Sequence, residues 1–129
     1  MNIISVPYVP TCTDYAPVLN KILSEKCDDA VIKLEKGDYP ILSPVKIENR
    51  ENLTIDGGVF EKLMYPVVYA ASADNLTIRN NILKDCPKYE PGDILLHCCN
   101  DVKISGNKRY ETGEELSVKI LSDSDLAKL

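Results

Sequence analysis

A four-residue phrase recurs along this chain and limits what it can fold into. Asn52-Leu53-Thr54-Ile55 returns as Asn75-Leu76-Thr77-Ile78 and, more loosely, as Asp101-Val102-Lys103-Ile104. The copies stand 23 and 26 residues apart, within the period of stacked-repeat architectures. Each copy is an alternating run too short for a helix, followed by a small polar corner: Gly57-Gly58, Asn80-Asn81 or Gly106-Asn107. Glycine and asparagine tolerate the left-handed backbone that a sharp turn between strands needs. A strand-and-corner unit at this period predicts the coils of a parallel β-helix, not a helical solenoid.

The twelve residues ending on each phrase, 44–55, 67–78 and 93–104, align without a gap. Strand alternation then assigns faces. Val45, Val68 and Ile94 stack inward, as do Ile47, Ala70 and Leu96, then Leu53, Leu76 and Val102, then Ile55, Ile78 and Ile104. Lys46, Tyr69 and Leu95 point outward, followed by Glu48, Ala71 and His97. Asn81 over Asn107 predicts a side-chain amide ladder at the ~4.8 Å strand spacing. Two stretches break the frame, 60–66 and 84–92, and variable loops on a rigid stack are where such folds carry function.

The ends read differently. Residues 1–13 are an extended lead-in. Residues 14–26 predict a helix, capped by Thr13 or Asp14, with Pro17 in its first turn and an apolar stripe of Val18, Leu19, Ile22 and Leu23. Such a helix suits the open end of a coil stack, where unpaired backbone and core need cover. Residues 30–34 and 39–42 are strands, and 114–121 supply one more. The whole reads as one domain over 1–129: lead-in and capping helix over 1–29, coils over 30–121, and a terminal cap over 122–129.

Composition narrows the partners. A net charge of −5 without a basic stripe excludes a nucleic-acid reader. No apolar run approaches the ~20 residues of a membrane span. The first residues lack the pattern of a secretory signal. Five cysteines at irregular spacing argue against a disulfide framework and read as small buried thiols, which favours a reducing, cytoplasmic setting. With a single histidine, no metal site is expected, and no cofactor motif is present.

The run from Thr13-Asp14 through the helix into Ala30-Val31-Ile32-Lys33-Leu34-Glu35-Lys36-Gly37-Asp38-Tyr39-Pro40-Ile41, together with the Asn-Leu-Thr-Ile blocks, resembles right-handed parallel β-helix proteins of the pectin lyase-like superfamily. The resemblance spans residues 14–110. It implies an all-β fold, a short right-handed parallel β-helix of about four coils with an N-terminal capping helix. It also implies a carbohydrate-directed role, since many members are polysaccharide lyases, polygalacturonases or related glycoside hydrolases with catalytic groups on the outward strand face and adjoining loops. This chain has fewer coils and lacks the polygalacturonase motifs, so no catalytic residue transfers.

Within the chain itself, the candidate acid/base groups are Glu48, Asp93 and His97. Glu48 and His97 share a ladder two coils apart, so ~9–10 Å, near the spacing of an inverting pair. Asp93 is placed to join His97 from the loop side. Lys46, Tyr65, Tyr69, Lys88 and Tyr89 are candidate substrate-binding groups, the tyrosines offering flat faces to sugar rings, with Glu90 beside them. The plainer reading is a solvated strand face with shielding tyrosines. Two functions follow as expectations: a module that binds or cleaves an oligo- or polysaccharide, or a non-catalytic assembly module whose outward Tyr69 and Leu95 are buried by a second copy in a homo-oligomer.

Overall fold

The computed structural model describes residues 2–25, 28–61, 63–88 and 92–126, the last two by backbone alone. Every long-range strand pairing among them is parallel and in register, and together they make a β-solenoid of about four turns. The first sheet stacks β1 (Asn2–Val6), β2 (Ala30–Leu34), β5 (Glu51–Asp56), β8 (Asp74–Arg79) and β11 (Lys103–Ser105) in that order. The second stacks β3 (Asp38–Pro40), β6 (Val59–Glu61), β9 (Ile82–Lys84) and β12 (Lys108–Arg109). The third stacks β4 (Val45–Glu48), β7 (Val68–Ala71), β10 (Ile94–His97) and β13 (Val118–Ile120). Two helices flank the stack, α1 (Ala16–Ser24) and α2 (Asp123–Leu126).

The apolar ladders hold, and they extend further than three rungs. In the first sheet Ile4, Ile32, Ile55, Ile78 and Ile104 lie directly over one another. In the third, Val45, Val68, Ile94 and Val118 form one column, and Ile47, Ala70, Leu96 and Ile120 the next. The second sheet is the one the repeat did not reveal. Its strands are two or three residues long and each turns a single side chain inward, Tyr39, Phe60, Leu83 and finally Arg109. One inward residue per strand leaves no alternation to detect.

Left-handed corners recur at fixed positions. Asn49, Ser72 and Cys98 have φ of 53–55°, and Asn52, Asn75 and Asp101 have φ of 52–54°. Gly57, Asn80 and Gly106 occupy the third corner with positive φ. Behind them the predicted amide ladder is present and buried. Asn81 Oδ1 accepts from Gly58 N at 2.9 Å while Asn81 Nδ2 donates to Ile55 O (3.3 Å) and to Asn107 Oδ1 (2.9 Å). Asn107 repeats the scheme one coil on, accepting from Asn81 N and donating to Ile78 O. Gly58 itself is fixed by space, since a Cβ there would stand 2.5 Å from the Phe60 ring. A second, exposed ladder joins Asn75 to Asn52 and Asn52 to Asp29.

The N-terminal end is closed piece by piece. β1 covers β2 in the first sheet. Over β3, Tyr15 N donates to Pro40 O and Asp14 Oδ1 accepts from Leu42 N and Ala16 N, so Asp14 serves helix and sheet at once. Over β4, the Asn20 side chain of α1 donates to Pro44 O and accepts from Lys46 N, at 3.1 and 2.8 Å. That carboxamide does the work of a neighbouring strand's peptide group. The helix is shorter than the expected 14–26, ending at Ser24 with Glu25 N bonded to Lys21 O, and Lys26 lies outside the described residues. The expected cap over 122–129 reduces to α2, with 127–129 also outside the description.

Two outcomes test this architecture. Asn81→Ala leaves the buried Gly58 N–H without its acceptor and lowers unfolding free energy in urea by about 1–3 kcal/mol, whereas Asn52→Gly, which keeps the left-handed backbone and removes only the exposed ladder, stays below about 1 kcal/mol. Tyr39, buried with its hydroxyl donating to Val6 O and Glu35 O, has its pKa pushed up to about 12 by burial and then by the neighbouring Tyr15 and Glu35. A phenol whose folded pKa exceeds its unfolded value stabilises fully below the unfolded value. That stability is lost as pH rises from about 10 towards 12. A spectroscopic tyrosinate titration therefore shows a phenol ionising only near pH 12, and Tyr39→Phe removes that late step.

Candidate functional site

The third sheet's outward face carries the expected site residues, and the structure divides them. Lys46 pairs with Tyr69 and Tyr69 with Leu95; Glu48 pairs with Ala71 and Ala71 with His97. The two ladders are as read from sequence. Their surroundings are not.

Asp93 does not join His97. It is buried, 2.6 Å from Arg109 through Oδ1, and accepts from Ser117 N and Oγ through Oδ2. Arg109 occupies the last inward rung of the second sheet, where the preceding coils hold Leu83, Phe60 and Tyr39. Its guanidinium reaches across to Asp93 and also donates to Cys86 O. The pair ties the second sheet to the start of β10 and to the segment before β13, which is a structural duty, and it takes Asp93 out of the acid/base set. A lone arginine on a two-residue strand gives no sequence signal of this role.

His97 is turned the other way. Its Nε2 lies 2.9 Å from Asp123 Oδ1 at the start of α2 and 3.6 Å from Cys98 Sγ. A nucleophilic relay needs the thiol on one imidazole nitrogen and the carboxylate on the other. Here both converge on the same nitrogen, so the trio fastens the C-terminal segment to β10 and does not activate Cys98. The cysteines were expected to be buried thiols. Cys12, Cys86 and Cys99 are half-buried and Cys98 is exposed, all four unpaired to one another, and Cys27 lies outside the described residues. Burial pushes the Cys86 thiol up in pKa. Among the described residues no group of three His, Cys, Asp or Glu is arranged to hold a metal ion.

Leu95, read as an outward residue that a second copy would cover, is buried within this chain and lies outside the core cluster. The outward face is therefore already covered at its third rung by the chain itself, which removes the reason to expect a second copy there. Tyr65 is exposed, Tyr69 is half-buried, and Lys88 is engaged by Glu114 at 3.2 Å. Tyr89 and Glu90 lie outside the described residues.

What remains is a groove of about 350 Å³ at the N-terminal end of this face. One wall is α1 (Asn20, Leu23, Ser24) and the other is β4 with its turn (Lys46, Glu48, Arg50). The described residues of the expected walls, loops 60–66 and 84–92, do not line it. Arg50 is held open, its Nε donating to Glu48 O and its Nη1 to Glu25 O at the C-terminal end of α1. A cation suits that end of a helix. The Lys46 ammonium and the Glu48 carboxylate have no bonded partner among the described residues, so both are free to meet a ligand.

No protein family model matches the chain, and comparison with curated proteins and with solved structures finds no significant match.

Breaking the buried pair separates scaffold from site. Asp93→Ala leaves the Arg109 charge buried and lowers stability by about 3–5 kcal/mol in urea unfolding, and D93A/R109M recovers part of that loss because no charge is then left without a partner.

Proposed function

We propose that this protein is a non-catalytic carbohydrate-binding β-solenoid module, related to the pectin lyase-like β-helices that its lead-in and coil phrases resemble. The observation that carries the reading is the groove between α1 and β4. Lys46, Glu48 and Arg50 present two cations and one carboxylate beside the amide and hydroxyl of Asn20 and Ser24. Tyr69 stands on the next rung above Lys46, ~4.8 Å away, and gives a ring face for a pyranose to stack on. Two cations to one anion favour an acidic sugar, a uronic-acid oligosaccharide, over a neutral one. Hydrolysis is not part of the proposal. Asp93 is committed to Arg109 and so does not pair with Glu48.

Calorimetric titration with oligogalacturonates and with neutral oligosaccharides of equal length tests this. Saturable binding of the acidic series is expected, weakening as salt is raised. Lys46→Ala and Tyr69→Ala each loosen it about tenfold while the fold is retained. Folded protein that binds neither series overturns the reading.

A further inference from the structure

The solenoid's two ends are not equivalent, and each leaves something uncovered. At the C-terminal end the inward ladders stop at Ile104, Val118 and Ile120, with no further coil over them among the described residues. Ile120 is 73% exposed although the same column buries Ile47, Ala70 and Leu96. Together with Val102, Cys99 and Leu96 these side chains line an apolar groove of about 580 Å³. β11 and β13 are terminal strands, so one backbone edge of each has no strand partner. At the opposite end β1 is the other terminal strand of the first sheet. Its sequence, Asn2-Ile3-Ile4-Ser5-Val6, carries no charge and no proline, the usual protections of a free edge. Val9 on the lead-in and Val18 on α1, which covers β4, are also exposed.

We propose that the occupant of the C-terminal end is the N-terminal end of a second copy, so that the chains stack head to tail and continue the first sheet from β11 into the partner's β1. This does not depend on the groove beside α1. Three observations carry it. Direction is the first, because all pairings of the first sheet are parallel, and of the contacts between two ends only head-to-tail keeps them so. The side-chain ladder is the second. Ile104 set over Ile4 of the next copy continues the five-isoleucine column without a break.

The third is hydrogen-bond phase, which could have forbidden that register. In β1, Asn2 N donates to Asp29 O and Val6 O accepts from Glu35 N, so the even-numbered residues face β2 and Ile3 and Ser5 face the free edge. In β11, Ser105 O accepts from Asn80 N, so Ser105 faces β8 and Ile104 faces the free edge. With Ile104 over Ile4, a parallel ladder needs Ile104 to bond the residues either side of Ile4, and those are Ile3 and Ser5. The phase fits. On the third sheet's side β13 meets the helix α1, bringing Val118 and Ile120 towards Val18. A head-to-tail contact that does not close into a ring grows into open stacks.

Sedimentation of two end-blocked variants tests the proposal. Ile3→Pro removes only a free-edge donor, and Ile120→Glu places a charge on an exposed rung; Val18→Glu replaces the first should it not fold. Wild type is expected to rise in mass with concentration beyond a dimer. Each variant alone is expected to stay monomeric, and an equal mixture to form a heterodimer, because each keeps the end the other lacks. Wild type that remains monomeric into the millimolar range overturns the proposal, as does self-association of Ile3→Pro alone, which would mean tail-to-tail contact. Loss of oligosaccharide binding would leave this result untouched, and the reverse holds as well.

Discussion

Between coils, the backbone of this solenoid hydrogen-bonds only to the coil before and the coil after. That constraint governs the rest of the structure. It makes register the quantity to be protected, since a slip of one residue would turn every inward isoleucine to solvent. It also means that the first and last coils are short of one neighbour, whatever the quality of the core between them. The N-terminal end answers with three separate substitutes for a coil: a real strand, a carboxylate and backbone amide around Asp14 and Tyr15, and the carboxamide of Asn20. The C-terminal end answers only in part. Residues 114–116 fold back on the second sheet, with Arg109 N bonded to Glu114 O and Leu116 N to Asn107 O, while β11 and β13 are left as terminal strands.

Register is held mainly by polar groups at the corners. Apolar columns are tolerant, because isoleucine over leucine or valine is nearly as good as isoleucine over isoleucine. Asn81 and Asn107 are not tolerant. Each uses its amide to close both a donor and an acceptor of the preceding coil, so displacement by one residue would strand several buried groups at once. The ion pair of Asp93 and Arg109 performs a similar duty at the last coil, with a charge in place of an apolar rung.

Where the sequence was informative, two or more residues per strand spoke together. The first and third sheets show Leu-x-Ile and Val-x-Ile alternation on adjoining strands, and the corners repeat their glycines and asparagines in step. The second sheet offers one inward residue per strand, so Phe60 reads as the beginning of a loop and Leu83 as the residue before one. Sites were less legible for a related reason. Ladder position correctly placed Lys46 with Tyr69 and Glu48 below His97, but it says nothing of what reaches in from outside the repeat. Arg109 claims Asp93 from 16 residues away, Asp123 claims His97 from 26, and α1 forms the groove wall that the loops were expected to supply. Those partners come from the ends of the chain, where the period no longer applies.

The account turns on a stack whose register is fixed inside and whose last strands have a bare edge, and residue-resolved amide exchange in dilute solution reads both. It predicts the slowest exchange in β5 and β8. Along the terminal strands it predicts alternation: Ile3, Ser5 and Ile104 fast, and Ile4, Val6, Lys103 and Ser105 protected. Uniform protection along β11 would contradict the open edge, and fast exchange throughout β8 would contradict the solenoid itself.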